Sequence, residues 1–577
     1  MKIRKIGFLI IIGAIIMSSI QVNPIQAQET LPTFGLEIVN PASLEKVDGG
    51  VGEPNNYWVH KNGLMWSEVQ KDGPNSNWDV NHVKGLDNYI ETVSAAGMEM
   101  ILVIRSTPTW AQKYPGYFCG PMGESSIDEF AAFVNETVTR YSQPPFNVRY
   151  YEIWNEPDDI RQENLEKKPF GCWAEPYDEQ GFGGGYYGQM LKQVYPALKA
   201  ASQNAQLVIG GLLLPADPED ELWSQIEFKD EQYEDGFIYA NMSKFFKGIL
   251  EECYTNGDGR CFDIVNFHGY ANYILDSNIF EIERLEGTPP QWEERGGVVE
   301  GKLNYLRELM TEYGVDKPII LTEAALRGTI VPDYDPVFEA SKADYVVWLY
   351  TRNMAKGIYA TTWYHLDNYG WGRSGLLDRN NNPLPAYHAY TVLTDMLDGA
   401  VYHKDISLGE GILGFEFIGD TTYWVLFSED GETKTIYKDS FNWYHSVVDL
   451  FGNKIDLQND KINFNRPIYI KGNTAPTAVP DRYILNEGAP ITVRAPGVLL
   501  NDINYDGDPL TATVVTDPSF GELSMNSDGS FTYTPTALPF PGEDSFTYRM
   551  SDGTFDSNTA TVTILDGTWL FLPLIHR

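Results

Sequence analysis

The sequence predicts an α/β protein: a (β/α)8 TIM barrel, then a small antiparallel β-sandwich, then a separate all-β sandwich domain. Three observations carry this. Over residues 34–398, short β-rich runs alternate with amphipathic helical stretches, as a barrel of parallel strands and crossover helices requires. From residue 399 helical periodicity stops, and strand-like runs are separated by turn signals such as Gly419-Asp420 and Asp430-Gly431. At Asn473-Thr474-Ala475-Pro476 a linker-like segment opens a further run of short strands and turns, including Ser527-Asp528-Gly529-Ser530.

The elements follow in order. Lys2, Arg4 and Lys5 precede an apolar run from Ile6 to Met17 and a polar stretch ending at Ala27. That is the pattern of a signal peptide over residues 1–27, and the apolar run falls short of the roughly 20 residues a membrane span needs. The mature protein is therefore expected outside the cell or at its surface, with no membrane span after signal removal. Barrel strands are expected at Phe34–Val39, Gly63–Glu68, Met98–Ile104, Val148–Trp154, Gln206–Leu212, Asp263–Phe267, Pro318–Thr322 and Tyr359–Tyr364. Helices are expected at Val80–Ala96, Ile127–Tyr141, Tyr187–Ala201, Phe237–Cys253, Gly301–Tyr313 and Glu339–Ala355. An open doubly wound sheet is disfavoured, because no Gly-rich phosphate loop follows the first strand. The accessory β-sandwich is expected over 399–472, with strands such as Ile412–Ile418, Thr422–Ser428 and Ile468–Lys471, and the last domain over 473–565. Residues 566–577 form an apolar tail containing Trp569-Leu570-Phe571-Leu572-Pro573-Leu574-Ile575, either a docked strand or a sorting tag.

Composition narrows the function. There are 80 acidic and 42 basic residues, a net charge of −38, which argues against nucleic-acid binding through phosphate neutralisation. Aromatic residues make up 13% of the chain, which suits a protein that stacks rings on the flat faces of ligands as well as in its core. Cys119, Cys172, Cys253 and Cys261 would lie in an oxidising compartment and allow three pairings. Cys253 and Cys261 bracket a Gly-rich turn and are the first choice for a local clip, with Cys119 and Cys172 then joining two loops. No CxxC pair or nearby His supports a metal site instead.

The chemistry concentrates at two strand ends. Tyr150-Tyr151-Glu152-Ile153-Trp154-Asn155-Glu156-Pro157 is a strand that Pro157 stops, so Asn155 and Glu156 fall on the C-terminal rim where barrel enzymes build their sites. Pro318-Ile319-Ile320-Leu321-Thr322-Glu323-Ala324 is a second apolar strand ending in a carboxylate. As fourth and seventh strands these face one another across the mouth, and two facing carboxylates are what glycosidic bond cleavage requires.

Trp154-Asn155-Glu156-Pro157 with Leu321-Thr322-Glu323 resembles glycoside hydrolase clan A, the retaining (β/α)8 glycosidases, nearest to its family 39-like or family 5-like members. Gly375-Leu376-Leu377-Asp378 followed by Pro385-Ala386-Tyr387 also resembles the stretch after the eighth strand in that clan. The resemblance spans roughly residues 34–472 and implies Glu156 as acid/base and Glu323 as nucleophile. It also implies Asn155 as ligand of the sugar 2-hydroxyl, His268 and Tyr270 as polar groups beside the nucleophile, and Trp363 as the platform under the sugar. It implies a carbohydrate substrate and no cofactor for catalysis. In a retaining site the paired carboxylates lie about 5–5.5 Å apart, so one pKa rises, and Glu156 is expected to hold that proton while Glu323 attacks. The arginine many clan members place beside the nucleophile has no clear counterpart; Arg105 is near the rim and is a candidate to balance Glu152. Trp58, Trp66, Trp78 and Trp110 either line further sugar subsites or belong to the core.

Asn501-Asp502-Ile503-Asn504-Tyr505-Asp506-Gly507-Asp508 places oxygen ligands at alternate positions, which suits a hard cation. Position twelve of an EF-hand would be Thr513 and a strand follows where a helix is needed, so that motif is rejected. Leu499-Leu500-Asn501-Asp502, Gly521-Glu522-Leu523 and Gly529-Ser530-Phe531-Thr532-Tyr533 resemble a cadherin-like or bacterial immunoglobulin-like repeat. The two readings of Asp502, Asn504, Asp506 and Asp508 are a structural Ca2+ site or a solvated acidic turn. A single such module implies a spacer, or cell-surface attachment through this domain or the tail. The function expected is a secreted retaining glycoside hydrolase cleaving β-glycosidic bonds of polysaccharide or oligosaccharide by double displacement. Its alternatives are a transglycosylase using the same residues and a non-catalytic carbohydrate-binding or adhesive surface protein.

Overall fold

Eight parallel strands close on themselves: β1 (Phe34–Glu37), β2 (Trp58–Met65), β3 (Glu99–Arg105), β4 (Tyr150–Ile153), β5 (Gln206–Ile209), β6 (Val265–Asn272), β7 (Ile319–Arg327) and β8 (Thr361–Trp363). They pair in the order β5-β4-β3-β2-β1-β8-β7-β6. Parallel bridges Val208–Ile264 and Leu212–Phe267 join the two ends and close the barrel. This is a computed structural model, and it describes residues 33–567 apart from 48, 50–52, 75–77, 79, 160–172, 176–177, 179–180, 216–225, 230–236, 241–243, 276, 285–291, 333, 368–369, 441–443, 487, 505–506 and 537–538. The expected signal peptide and most of the apolar tail lie outside the described residues.

Helices α1 (Val80–Ala95), α2 (Ile127–Tyr141), α3 (Gly184–Ala201), α4 (Lys244–Leu250), α5 (Val298–Glu312), α6 (Pro336–Ala355) and α7 (Pro385–Met396) surround the strands. Helix α6 starts where its sequence dictates. Asp335 Oδ1 accepts from the amides of Val337 and Phe338, and Pro336, which lacks an amide proton, occupies the first helical position. Two expected elements differ in kind rather than only in length. The second strand runs from Trp58 to Met65 and is followed by a one-turn helix, Trp66–Val69, where a strand to Glu68 was expected. Its polar members concealed it, because His60 points inward and is paid for by buried carboxylates rather than by apolar neighbours. Where a helix was expected from Phe237, Phe237–Ala240, an aromatic and β-branched run, pairs instead with Ile226–Lys229, and α4 is the helix Lys244–Leu250.

The accessory module holds β9 (Val401–Ser407), β10 (Ile412–Ile418), β11 (Thr422–Ser428), β12 (Lys434–Tyr437), β13 (Tyr444–Asp449), β14 (Lys461–Phe464) and β15 (Ile468–Gly472). Five strands form one sheet, β9-β10-β11-β15-β13, and β12 pairs with β14. Alternation along the strands divides the side chains between two cores. Phe415, Phe427 and Tyr469 join the barrel core, where Trp348 of α6 packs on Phe415 and Phe427 at ring separations of 5.8 and 5.3 Å. Leu426, Ile468 and Ile470 face the other way, onto Ile436, Ile462 and Phe464 of the two-stranded sheet. Arg466 also reaches Asp344 of α6 at 2.8 Å.

The last seven strands are β16 (Asp481–Leu485), β17 (Ile491–Val493), β18 (Thr511–Thr516), β19 (Gly521–Met525), β20 (Phe531–Pro535), β21 (Glu543–Ser551) and β22 (Ala560–Asp566). They form two sheets, β16-β22-β21-β18 and β17-β20-β19, around a core of their own that includes Phe531, Tyr533, Phe546, Tyr548 and Val562. Among the described residues no helix is long and apolar enough to cross a membrane.

Candidate active site

The mouth of the barrel is built by strand ends that abandon regular geometry. After Ile153 the chain takes positive φ at Trp154 (76°) and Glu156 (46°), a region that side chains other than glycine rarely occupy. Trp154 remains tied down: its amide bonds Ile104 O at 2.8 Å and its indole bonds Cys119 O at 3.0 Å. The Glu156 amide bonds Gly211 O at 3.1 Å. The kink turns Glu156 into the cavity, where Asn155 is also buried.

Strand β7 delivers Glu323 by a different device. Leu321 pairs with Phe267 and Glu323 with His268, so Thr322 is an extra residue on β7. The same excess appears against β8, where Thr361 pairs with Leu321 and Trp363 with Ala324. Such a bulge re-aims the residues after it. The strand then continues to Arg327, beyond the expected end at Thr322.

His268 lies between the two carboxylates. Its Nδ1 is 3.0 Å from Glu156 Oε1 and 3.6 Å from Glu323 Oε2. One oxygen of Glu156, one nitrogen of His268 and one oxygen of Glu323 all lie within 4.8 Å of one another. On its far side His268 Nε2 sits 3.2 Å from Thr322 Oγ1, whose own proton goes to Asn266 Oδ1 at 3.0 Å. Thr322 therefore accepts from Nε2–H. The neutral ring then offers Nδ1 as acceptor to a protonated Glu156, and the imidazolium donates to its carboxylate. The Tyr270 hydroxyl donates to Glu323 Oε2. Asn155, Glu156, His268, Tyr270 and Glu323 are thus all at the barrel mouth, with Glu156 hydrogen-bonded to His268, Tyr270 hydrogen-bonded to Glu323, and a 3.6 Å charge contact between His268 and Glu323 joining the two pairs.

The electrostatics differ from expectation in one respect. Burial pushes the Glu323 carboxyl up to about 7, helped by the negative charges of Glu37 and Glu156 and opposed by His268 and His60. The expected lift was on Glu156. On Glu323 the lift comes first from burial and then from the two carboxylates it faces. Burial lowers His268, yet the charges of Glu323 and Glu156 outweigh it and hold the ring above its ordinary value.

Trp363 does not serve as the platform expected of it. It is completely buried, its indole donates to Ser374 O at 2.8 Å, and its ring packs toward Tyr345 of α6. Side chains alternate along a strand, so the inward residue at the end of β8 is the next one, Tyr364. Its ring lies 5.7 Å from Tyr270 and 4.7 Å from Trp371. Trp58 is buried against Tyr150 and Tyr359, Trp66 is buried in the main core, and Trp78 and Trp110 pack against that core through Phe133 and Trp66.

Arg105 is buried at the end of β3, but Glu152 is not balanced by it. Glu152 Oε2 meets His60 Nε2 at 3.1 Å and Oε1 accepts from the Gly211 amide at 2.9 Å. Burial lowers Arg105 to about 10, against the fields of Glu37, Glu323 and Glu156, so it balances the cavity as a whole. Sequence reasoning missed Glu37 and His60. Glu37 Oε2 meets His60 Nδ1 at 2.8 Å, completing a buried Glu37–His60–Glu152 chain that runs inward from the end of β1. The available signal was a polar residue within each of the first two strands.

Two comparisons bear on this geometry. The family model "Cellulase (glycosyl hydrolase family 5)" matches residues 62–363, more than half of the chain. The chain belongs to glycosyl hydrolase family 5. It is a glycoside hydrolase of clan A, and hydrolases of this family need no cofactor for catalysis. A bacterial cadherin-like domain matches residues 473–566. Among solved structures, a family 39 glycoside hydrolase from the gut symbiont Bacteroides cellulosilyticus WH2 shares the fold (TM-score 0.55, 16% identity, covering 77% of this chain and 82% of that one). The bifunctional glucanase-xylanase CelM2 from a metagenome library aligns with TM-score 0.47 and 11% identity over 77% of this chain and 96% of that one. No curated protein matches the chain.

In the cadherin-like domain the acidic turn is turned inward. Asp502 Oδ1 accepts from the Val479 amide at 2.7 Å and from the Tyr548 hydroxyl at 2.8 Å. Asn504 Nδ2 donates to Asp508 O at 2.7 Å, and Asp508 Oδ2 lies 3.4 Å from His445 of the accessory module. Asp506 lies outside the described residues. Among the described residues no group of three acidic or histidine ligands converges here. Cys253 and Cys261 form the expected disulfide, with Cα atoms 5.9 Å apart. Cys119 is also disulfide-bonded, and Cys172 lies outside the described residues.

Proposed function

We propose that this family 5 hydrolase cleaves β-glycosidic bonds of polysaccharide or oligosaccharide with retention of configuration, with Glu323 as nucleophile and Glu156 as acid/base. The observation that supports this reading is the approach of the two carboxylates to within 4.8 Å around a shared His268. A retaining pair stands about 5–5.5 Å apart, whereas an inverting pair opens to roughly 6.5–9.5 Å to admit a water. Glu323 attacks the anomeric carbon while Glu156 passes its proton to the departing glycosidic oxygen, and a glycosyl ester forms on Glu323. Water then attacks the same carbon, Glu156 takes its proton, and the ester bond breaks. Tyr270 orients the nucleophile, His268 sets the proton position on Glu156, and Asn155 holds the sugar 2-hydroxyl. Tyr364 takes the platform role.

Glu323→Ala should abolish turnover on a panel of aryl β-glycosides and β-glucans. Glu156→Ala should lose far less on substrates with a good leaving group, such as dinitrophenyl glycosides, than on unactivated oligosaccharides. NMR of the first-formed product should show the β-anomer; an initial α-anomer, or a Glu323→Ala enzyme with near wild-type turnover, would overturn the assignment. Export from the cell is supported by the basic and apolar N-terminus and by the disulfide. Mass spectrometry of secreted protein should find the mature chain beginning after Ala27. The cadherin-like domain acts as a spacer or attachment module.

A further inference from the structure

Glu37 sits at the C-terminal end of β1, on the rim where barrel sites are built, yet the mechanism above gives it no task. One of its oxygens, a nitrogen of His60 and an oxygen of Glu323 lie within 4.8 Å of one another, less than the span of one pyranose ring with its hydroxyls. Its position is fixed from several sides. Leu366 donates its amide to Glu37 O at 2.9 Å, the amides of Val39 and Asn40 bond Asp367 at 3.0 and 2.7 Å, and Tyr89 bonds Ile38 O at 2.8 Å. Behind it, His60 is clamped between Glu37 Oε2 and Glu152 Oε2, and Glu152 is completely buried.

The two carboxylates of this chain differ in kind. Glu152 has an oxygen on His60 and the other on the Gly211 amide, and it serves as the inner anchor. Glu37 retains some exposure at the cavity wall and faces the nucleophile. A third carboxylate so near Glu323 raises the cost of ionising the nucleophile, which a merely structural role leaves unexplained. A carboxylate held by a protonated imidazole through one oxygen still accepts strongly from hydroxyls, through its other oxygen and the remaining lone pair of the first.

We propose that Glu37 is a substrate ligand: its carboxylate accepts hydrogen bonds from ring hydroxyls of the sugar whose anomeric carbon meets Glu323, held in place by the Glu37–His60–Glu152 chain. Glu37 thereby selects a ring that carries free hydroxyls on the side facing β1. This rests on the assignment of Glu156 and Glu323 above.

The test compares wild type, Glu37→Gln and Glu37→Ala on the aryl β-glycoside the wild type turns over best and on its 2-, 3-, 4- and 6-deoxy analogues. For the wild type, one or two deoxy analogues should lose about 100-fold in kcat/KM, because a buried acceptor is left without its donor. Glu37→Ala should lose a similar factor on the parent glycoside and little further on those same analogues. Glu37→Gln, which keeps the shape and contact with His60, should fall between the two, and its melting temperature reports whether the chain still folds. Equal losses in Glu37→Ala on the parent and on every analogue would overturn the inference. The catalytic reading would then still stand, provided wild-type turnover vanishes in Glu323→Ala. No wild-type turnover on any glycoside would remove both.

Discussion

Ionising Glu323 places negative charge in a cavity that already holds Glu37 and Glu156, and burial denies it water. Its carboxyl therefore titrates at about 7 rather than 4.5, and two consequences of opposite sign follow. The attack proposed for Glu323 needs the ionised form, so kcat/KM should fall as pH drops through about 7, which a pH–rate profile on an aryl glycoside will show. Stability moves the other way. Between pH 4.5 and about 7 this carboxyl keeps in the native state a proton it has lost in the unfolded chain, so its own contribution to stability is greatest at low pH and is lost as pH rises through that window. Glu323→Gln should accordingly be more stable than wild type at pH 8, by up to about 3 kcal/mol, and no more stable at pH 4, as measured by urea unfolding. Tyr270→Phe removes the hydroxyl that donates to Glu323. It should cut kcat by about 10-fold or more with KM little changed. At this scale the sequence was partly legible. Trp154-Asn155-Glu156-Pro157 announces itself, because Pro157 forces a strand end beside a carboxylate. Glu37 and Tyr364 did not, because β1 and β8 are too short for alternation to fix which residue points inward.

Strand β7 shows why parity fails at active sites. With Thr322 as an extra residue, counting by twos from Ile319 misassigns everything after it, and Glu323 reaches the cavity only because of that irregularity. The eight strands themselves were legible from apolar runs, since strands buried on both faces read as continuous hydrophobic stretches. Strand β2 was the exception, for the polar reason given by His60. The segment after β5 carries a second close fit. A Cβ on Gly211 would lie 2.0 Å from His268 Nε2, so only glycine allows the imidazole to stand where it does. Gly211→Ala should push His268 off Thr322 and Glu156 and lower kcat/KM by about 100-fold or more. Near-UV circular dichroism would separate this from global unfolding, and an alanine variant with normal kinetics would show that His268 has room the geometry denies it.

Over the whole chain, three apolar cores settle how independent the modules are. The cadherin-like core shares no residue with the other two, and the barrel core draws in one face of the accessory sheet. A chain ending at Gly472 should therefore keep the kcat/KM of the full protein on soluble substrates. The linker at Asn473 was legible as a shift in composition, but the shared core was not, because a strand that alternates between two partners looks like one that faces a core and water. The stacking of Trp348 on Phe415 and Phe427 has an engineering corollary. Fusions and domain grafts can be spliced at 473 with little penalty, whereas a splice at 399 would strip a hydrophobic flank bare and yield a sticky, insoluble catalyst; the smallest portable enzyme in this chain is barrel and first sandwich together.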